Sequence, residues 1–156
     1  MERNPNMRDT FVEDFESESF MTAFKAYFSE ISGGTRTWPM LFCQMNNERD
    51  VTKAIMRLDG DTVVGFVMFC EVRLSCVFFT EAYGYIRELW VHPAYRRTGS
   101  GSHLLSLAES YFAEQGITQV MLNAEPLAVG FYRKMGYEES TTAVSEGGII
   151  YSKRIR

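Results

Sequence analysis

YRRTGSGSHLL, residues 95–105, places two arginines and a Gly-Ser run immediately before an apolar helical pattern. Gly and Ser together often form a flexible linker, but the flanks of this segment indicate otherwise. YGYIRELWV (83–91) has the composition of a β-strand, and Leu104, Leu105, Ala108 and Phe112 recur at helical spacing. The segment is therefore predicted to be a tight turn that connects a strand to a helix.

The glycines of this turn would let the backbone approach a ligand closely. Gly99 and Gly101 carry no Cβ that could collide with it. N–H groups at the start of a helix converge on an anion, and Arg96 and Arg97 add positive charge. Two known phosphate loops do not fit, because no lysine follows Gly101 and Leu104 stands where a dinucleotide fingerprint has its third glycine. A phosphate cradle and a purely structural turn remain as the two interpretations.

The composition of the 156-residue chain argues against several classes of partner. A net charge of −4 offers no basic surface for nucleic acid and favours a cationic small molecule or peptide. No apolar run approaches the roughly 18 residues of a membrane span. The three cysteines lack CxxC spacing, only two histidines are present, and the N-terminus has no apolar signal region. We therefore expect one cytoplasmic domain, 1–156, without a membrane segment or a metal site.

The remaining segments predict a mixed α/β order. Apolar periodicity predicts a helix from about Ser17 to Ile31, and a short second helix is expected from about Glu48 into Thr52. KAIMRL (53–58) and TVVGFVMFCEV (62–72) form a hairpin around Asp59-Gly60-Asp61, and any strand before the first helix falls near 8–12. After the glycine turn come a helix closed by Gly116, a strand at 117–124, a short helix ended by Gly136 and two last strands in 137–155.

The order of strand, Arg-x-x-Gly-x-Gly, helix and strand, followed by GFYRKMGY, resembles the GNAT superfamily of acyl-CoA-dependent N-acyltransferases. The likeness is carried by IRELWVHPAYRRTGSGSHLLSLAES (86–110) and VMLNAEPLAVGFYRKMGYEE (120–139). The family's Q/R-x-x-G-x-G/A motif falls on Arg96, Gly99 and Gly101. The implied fold is a single α/β (α+β mixed) domain. Its central sheet is mixed and mostly antiparallel, has six to seven strands with a splayed parallel pair, and is flanked by about four helices.

The resemblance implies that acetyl-CoA is the co-substrate. Backbone amides of the phosphate cradle, residues 97–102, would grip the CoA pyrophosphate. The strand at 85–91 would splay from its parallel neighbour and open a slot in which pantetheine extends the sheet. Backbone groups of Leu89, Trp90 and Val91 would then contact pantetheine and the thioester carbonyl. The residues assigned to the pyrophosphate are Arg96, Arg97, Thr98, Gly99, Ser100, Gly101 and Ser102.

Acyl transfer to an amine calls for two groups that handle protons. An aliphatic amine near pKa 10 must lose a proton before it attacks, and the thiolate must be expelled. The resemblance implies Glu88 as general base, with a structural ion pair to Arg87 or Arg73 as the alternative. It implies Tyr132 at the CoA sulfur as general acid, with core packing as the alternative. Seven residues before Tyr132, where many relatives carry an asparagine, this chain has Glu125, which would be a second candidate proton acceptor.

The resulting hypothesis is an N-acetyltransferase that moves an acetyl group to a primary amine by direct attack in a ternary complex. The alternative is a non-catalytic acyl-CoA-binding sensor or partner domain of the same fold. The acceptor is a small molecule or peptide, and homodimers are common in the family. An apolar, acidic pocket for a cationic amine is one interpretation of several residues otherwise explained by core packing: Trp38, Phe42, Phe78, Phe79, Tyr83, Glu71 and Glu81.

Overall fold

A computed structural model of the chain describes residues 5–31, 51–75, 77–78, 80–140 and 149–155. Within these residues lie seven strands and three α-helices. The strands are β1 (Met7–Phe11), β2 (Thr52–Asp59), β3 (Thr62–Ser75), β4 (Thr80–Val91), β5 (Gln119–Ala124), β6 (Glu138–Glu139) and β7 (Ile149–Arg154). The helices are α1 (Glu18–Glu30), α2 (Ser100–Glu114) and α3 (Val129–Lys134).

The strands form one mixed sheet in the order β1-β2-β3-β4-β5-β7-β6. β4 and β5 run parallel, whereas the pairs β1–β2, β5–β7 and β6–β7 are antiparallel. The predicted α/β fold with a mixed sheet of six to seven strands and a parallel pair is confirmed, and the sheet has seven strands. β2 and β3 form the predicted hairpin around Gly60, whose φ of 60° suits the turn between them.

The expected number of about four helices is too high for the part of the chain that the structure describes. The helix predicted to run into Thr52 is wrong at that residue, because Thr52 begins β2 and is 4% exposed. A β-branched side chain packs well in a buried strand, and here the sheet outweighs the local signal. Residues 48–50 of that prediction lie outside the described residues.

The chain divides into two compact units, each of which is considered separately. The first comprises Met1–Met68 and Glu88–Leu105, and the second comprises Phe69–Arg87 and Ser106–Arg156. β3 and β4 each contribute residues to both units. That residues 1–156 fold as one domain stays a prediction.

The first unit has an aromatic core between α1 and the sheet. Phe20 and Phe24 lie one helical turn apart, and both rings are buried. Their ring centroids lie 5.4 and 5.8 Å from that of Phe66 on β3, and Phe66 in turn lies 5.7 Å from Trp90 on β4. Each such side chain contributes about 1.5–3 kcal/mol by leaving water. This core fixes the face that α1 presents to the strands.

The second unit is built on the parallel pair. Gly84 pairs with Val120 and Ile86 with Leu122, so the register covers three residues of each strand. Phe112 of α2 packs against this pair so closely that a Cβ on Gly84 would come within 2.5 Å of its ring. β4 continues to Val91, five residues beyond the last registered pair.

Candidate active site

The predicted strand-turn-helix segment is present and has a distinctive backbone. β4 is followed by a 3₁₀ turn, Pro93–Tyr95, which His92 caps by accepting a hydrogen bond from the Ala94 N–H at Nδ1 (3.0 Å). Arg97 and Gly99 then have φ angles of 65° and 86°, in the left-handed region. His92 therefore lies between β4 and the 3₁₀ turn and stabilises the start of that turn.

The first amides of α2 precede the point at which the helix's own hydrogen bonds begin. The N–H of His103 donates to the Gly99 carbonyl at 3.0 Å, and the amides of the first turn, which precede it, cannot donate to a carbonyl of the same helix. A glycine-containing turn that leads into a helix can present such amides to an anion, with the positive end of the helix dipole behind them. A Cβ on Gly99 would meet nothing within 4 Å, so the positive φ, not crowding, calls for glycine there.

Side-chain hydroxyls reinforce the cradle from within. Thr98 donates through Oγ1 to the Tyr95 carbonyl at 2.5 Å, and the hydroxyls of Thr98 and Ser100 lie 3.2 Å apart. Ser100 is 3% exposed, although it begins α2. Hydrogen bonds from its own side chains therefore stabilise the turn in the absence of a ligand.

The positive charge of Arg96 was expected to face the cradle, but its side chain bonds elsewhere. Its Nε donates to the Val91 carbonyl at 3.0 Å and its Nη2 to Glu30 Oε2 at 2.5 Å. Glu30, the last residue of α1, also accepts the indole N–H of Trp90 at 2.9 Å. The Arg96 guanidinium therefore links the end of β4 to the end of α1.

Glu30 provides a prediction about stability. Partial burial raises the pKa of the Glu30 carboxyl, but the hydrogen bonds from Arg96 and Trp90 and the Arg96 charge together bring its pKa below the ordinary 4.5. A folded-state pKa below that of the unfolded chain stabilises the fold above about pH 4.5, and this contribution is lost as the pH falls through the folded value. Since both side chains are partly exposed, Glu30→Gln is expected to cost about 1 kcal/mol of unfolding free energy at pH 7.

Urea unfolding between pH 3 and 7 measures this loss. The difference between wild type and Glu30→Gln should shrink below about pH 4.5, whereas Glu114→Gln, at the exposed end of α2, should show little difference throughout. An equal loss for Glu30→Gln at every pH would contradict the ionic role of Glu30.

Glu88 is half-buried on β4 and accepts a hydrogen bond at Oε2 from the hydroxyl of Tyr27 on α1. Sequence reasoning identified Glu88 but missed Tyr27 and Glu30. The available signal was a tyrosine hydroxyl within the apolar stripe of α1, three residues after Phe24. A buried or half-buried phenol usually finds a polar partner, but the stripe alone does not identify it.

Tyr132 belongs to the second unit and lies in α3, the predicted short helix, which ends before Gly136 (φ 95°). Its half-buried ring packs edge to face against Phe131 at 5.1 Å and Tyr137 at 5.9 Å. The N–H of Tyr137 donates to the Tyr132 carbonyl at 3.0 Å. The ring is thus held by packing on one side, as the core alternative expects, and its catalytic role stays a prediction.

Glu125 lies ahead of the 3₁₀ turn Pro126–Ala128. Its carbonyl accepts the Ala128 N–H at 2.8 Å, while its exposed side chain does not cap the turn. Neither of these contacts involves the Glu125 carboxylate, so its role as a second proton acceptor also stays a prediction.

The aromatic pocket suggested for the acceptor is only partly described. Trp38, Phe42 and Phe79 lie outside the described residues, as do Cys43 and Cys76. Phe78 is 92% exposed, and Glu71 forms an ion pair with Arg73 at 2.9 Å. Cys70 is half-buried in β3. The described part of the proposed aromatic pocket therefore has one of its two acidic groups paired and one of its rings in solvent.

Neither a metal cluster nor a membrane helix is found where the structure describes the chain. Residues 5–31, 51–75, 77–78, 80–140 and 149–155 contain no group of three or more His, Cys, Asp or Glu side chains that could hold a metal ion. In the same residues no helix has the length and hydropathy needed to cross a membrane.

Comparison with known proteins gives a consistent result. Residues 7–137 match the sequence profile of the Acetyltransferase (GNAT) family. Among curated proteins, the uncharacterised protein YyaT of Bacillus subtilis is 38% identical over 64 residues, which are 41% of this chain and 43% of YyaT. The chain thus matches less than half the length of this relative.

Two solved structures have the same fold. One is a predicted acetyltransferase with acetyl-CoA from Clostridium acetobutylicum, at a TM-score of 0.74 and 16% identity over 89% of this chain and 94% of that one. The other is an aminoglycoside acetyltransferase from an uncultured soil sample in complex with sisomicin, at a TM-score of 0.68 and 16% identity over 90% and 95% of the two chains. At these identities the likeness concerns the fold alone.

Proposed function

Since the chain belongs to the GNAT acetyltransferase family, we propose that it moves an acetyl group from acetyl-CoA to the primary amine of a small molecule or peptide. The observation that carries this proposal is the cradle: left-handed Arg97 and Gly99 lead directly into α2. Each hydrogen bond from an amide to a charged phosphate oxygen is worth about 1.5–3 kcal/mol, so a few of them hold a pyrophosphate.

Acetyl-CoA is proposed to bind along the end of β4 and the start of α2. Amides of residues 97–102 contact the pyrophosphate, and backbone groups of Leu89, Trp90 and Val91 contact pantetheine and the thioester. The link from Arg96 to the Val91 carbonyl and to Glu30 supports this assignment, because it holds the end of β4 in place. The binding surface is therefore preorganised by the protein's own hydrogen bonds.

The chemistry follows from two residues and the backbone. Glu88 takes a proton from the ammonium, and the amine lone pair then attacks the thioester carbonyl carbon. Backbone N–H groups stabilise the resulting oxyanion. The C–S bond breaks as the electrons return, and Tyr132 gives its phenolic proton to the departing thiolate. The N-protonated amide that forms then loses its extra proton to the Tyr132 phenolate, which restores the phenol, and Glu88 releases its proton to solvent. The acetyl group moves directly to the amine, with no acyl-cysteine intermediate.

Tyr132→Phe is expected to lower kcat about 10²-fold, at the low end of general acid catalysis, because a CoA thiolate is already a moderately good leaving group. The ring contacts with Phe131 and Tyr137 are kept, so the Kd for acetyl-CoA should change little. Tyr111→Phe is the matched control, because Tyr111 is also a half-buried tyrosine on a helix, here α2. This variant should retain the wild-type kcat. Wild-type turnover by Tyr132→Phe would remove Tyr132 from the mechanism.

The decisive experiment measures thiol release from acetyl-CoA with a thiol-reactive chromophore. The panel contains polyamines, aminoglycosides, amino acids and short peptides, and acetyl-CoA binding is measured alongside by calorimetry. A net charge of −4 supports the cationic members of the panel as acceptors. Turnover with one class would identify the acceptor. Stoichiometric binding without thiol release on any amine would instead favour the non-catalytic sensor.

Two further properties belong to this proposal. The protein acts in the cytoplasm, where acetyl-CoA is available, and it forms a homodimer, as relatives in the family commonly do. Light scattering after gel filtration measures the second property directly, and a monomer at micromolar concentration would contradict it.

A further inference from the structure

We propose that Tyr27 is a positioning residue for Glu88, the side chain whose hydroxyl holds the base in place for the amine. The proposal starts from the hydrogen bond that the Tyr27 hydroxyl donates to Glu88 Oε2. The two residues lie 61 positions apart in sequence, on α1 and β4. The inference rests on the proposed function, because it requires Glu88 to be the base.

The Tyr27 ring is a rigid support. Its centroid lies 5.7 Å from those of both Phe24 and Phe66, edge to face in each case. Phe24 and Phe66 are 2% and 0% exposed and stack on each other at 5.8 Å. A phenol seated on two buried rings has lost its side-chain freedom during folding, so holding Glu88 adds little entropic cost.

A second hydrogen bond sets the register of α1 over β4. Glu30 follows Tyr27 by three residues on the helix, and Trp90 follows Glu88 by two residues on the strand. The first spacing keeps two side chains on one face of a helix, and the second keeps two side chains on one face of a strand. Tyr27 contacts Glu88 while Glu30 accepts the Trp90 indole N–H at 2.9 Å, so the two elements are joined twice in matching register.

This arrangement suits a carboxylate that must receive a proton. Each carboxylate oxygen carries two lone pairs, so a Glu88 held through Oε2 keeps accepting capacity for the amine proton. The Tyr27 hydroxyl also favours the ionised carboxylate by donating to it. Without this donor, Glu88 would sample several rotamers and would hold its proton to higher pH.

Tyr27→Phe tests the proposal, because it keeps the ring and deletes only the hydroxyl. We expect kcat to fall about 10-fold and the acidic limb of the kcat/KM profile to move to higher pH. The KM and the calorimetric Kd for acetyl-CoA should stay within about two-fold of wild type, which also shows that the variant is folded.

Tyr137→Phe is the matched control, because it removes another tyrosine-to-glutamate hydrogen bond. The Tyr137 hydroxyl donates to Glu109 Oε2 at 2.9 Å in the second unit. Burial, the Glu109 charge and this hydrogen bond raise the pKa of Tyr137 far above its ordinary value, so it stays a neutral donor throughout the assay. Tyr137→Phe should reduce stability and leave the pH profile of kcat/KM unchanged.

Glu88→Gln separates failure of this inference from failure of the proposed function. If Tyr27→Phe keeps the wild-type kcat and pH profile while Glu88→Gln loses activity, the positioning role is overturned and the base stands. If Glu88→Gln keeps full activity, both are overturned. On the Glu88→Gln background, Tyr27→Phe should have no further effect on kcat; an additive loss would likewise overturn the positioning role.

Discussion

Glu88→Gln is expected to lower kcat at neutral pH by about 10²- to 10⁴-fold, with the Kd for acetyl-CoA nearly unchanged. The amide has the size of the carboxylate and still accepts a hydrogen bond from Tyr27, but it cannot take a proton from an ammonium ion. Turnover should partly recover at high pH, because more of the acceptor is then already a free amine. Steady-state kinetics between pH 6 and 10 measure both effects.

Glu125→Gln decides between the two candidate bases. If Glu88 is the base, Glu125→Gln should behave like wild type, since the Glu125 side chain is exposed and does not cap the adjacent turn. A Glu88→Gln enzyme with the wild-type pH profile, combined with a large loss in Glu125→Gln, would transfer the role to Glu125.

Gly101→Glu is expected to weaken acetyl-CoA binding at least about 100-fold. Gly101 lies in the first turn of α2, two residues after the left-handed Gly99. A carboxylate introduced there repels the pyrophosphate and displaces it from the amides, and losing two charge-assisted hydrogen bonds costs about 3–6 kcal/mol. Calorimetry with acetyl-CoA measures the loss, and the thermal unfolding curve of the variant shows whether it is folded.

Two control variants separate charge at the cradle from general damage to α2. Gly101→Ala adds only a methyl group, which the family motif allows, and should keep the Kd for acetyl-CoA within about ten-fold. Ser106→Glu adds the same carboxylate at an exposed position of the same helix and should bind normally. Unchanged affinity in a folded Gly101→Glu variant would leave the glycine segment as a structural turn only.

Local signals predicted most of the elements around the site. The apolar period of α1, the Asp-Gly turn of the β2–β3 hairpin and the glycines before α2 each act over a few residues, and all three elements are present. The expected short helix failed at Thr52, because burial in β2 outweighs a weak local preference. The family resemblance supplied the roles of Glu88 and Tyr132, which remain to be measured.

The sequence by itself determined most of the strands and helices and the glycine turn before α2, because periodicity and glycine positions are encoded within short segments. Only the tertiary structure decided that Tyr27 contacts Glu88 and that Arg96 turns from the cradle to Glu30, across 61 and 66 residues of chain. Such pairs depend on how α1 packs over β3 and β4. That packing is set by many buried side chains together, so no single segment contains it.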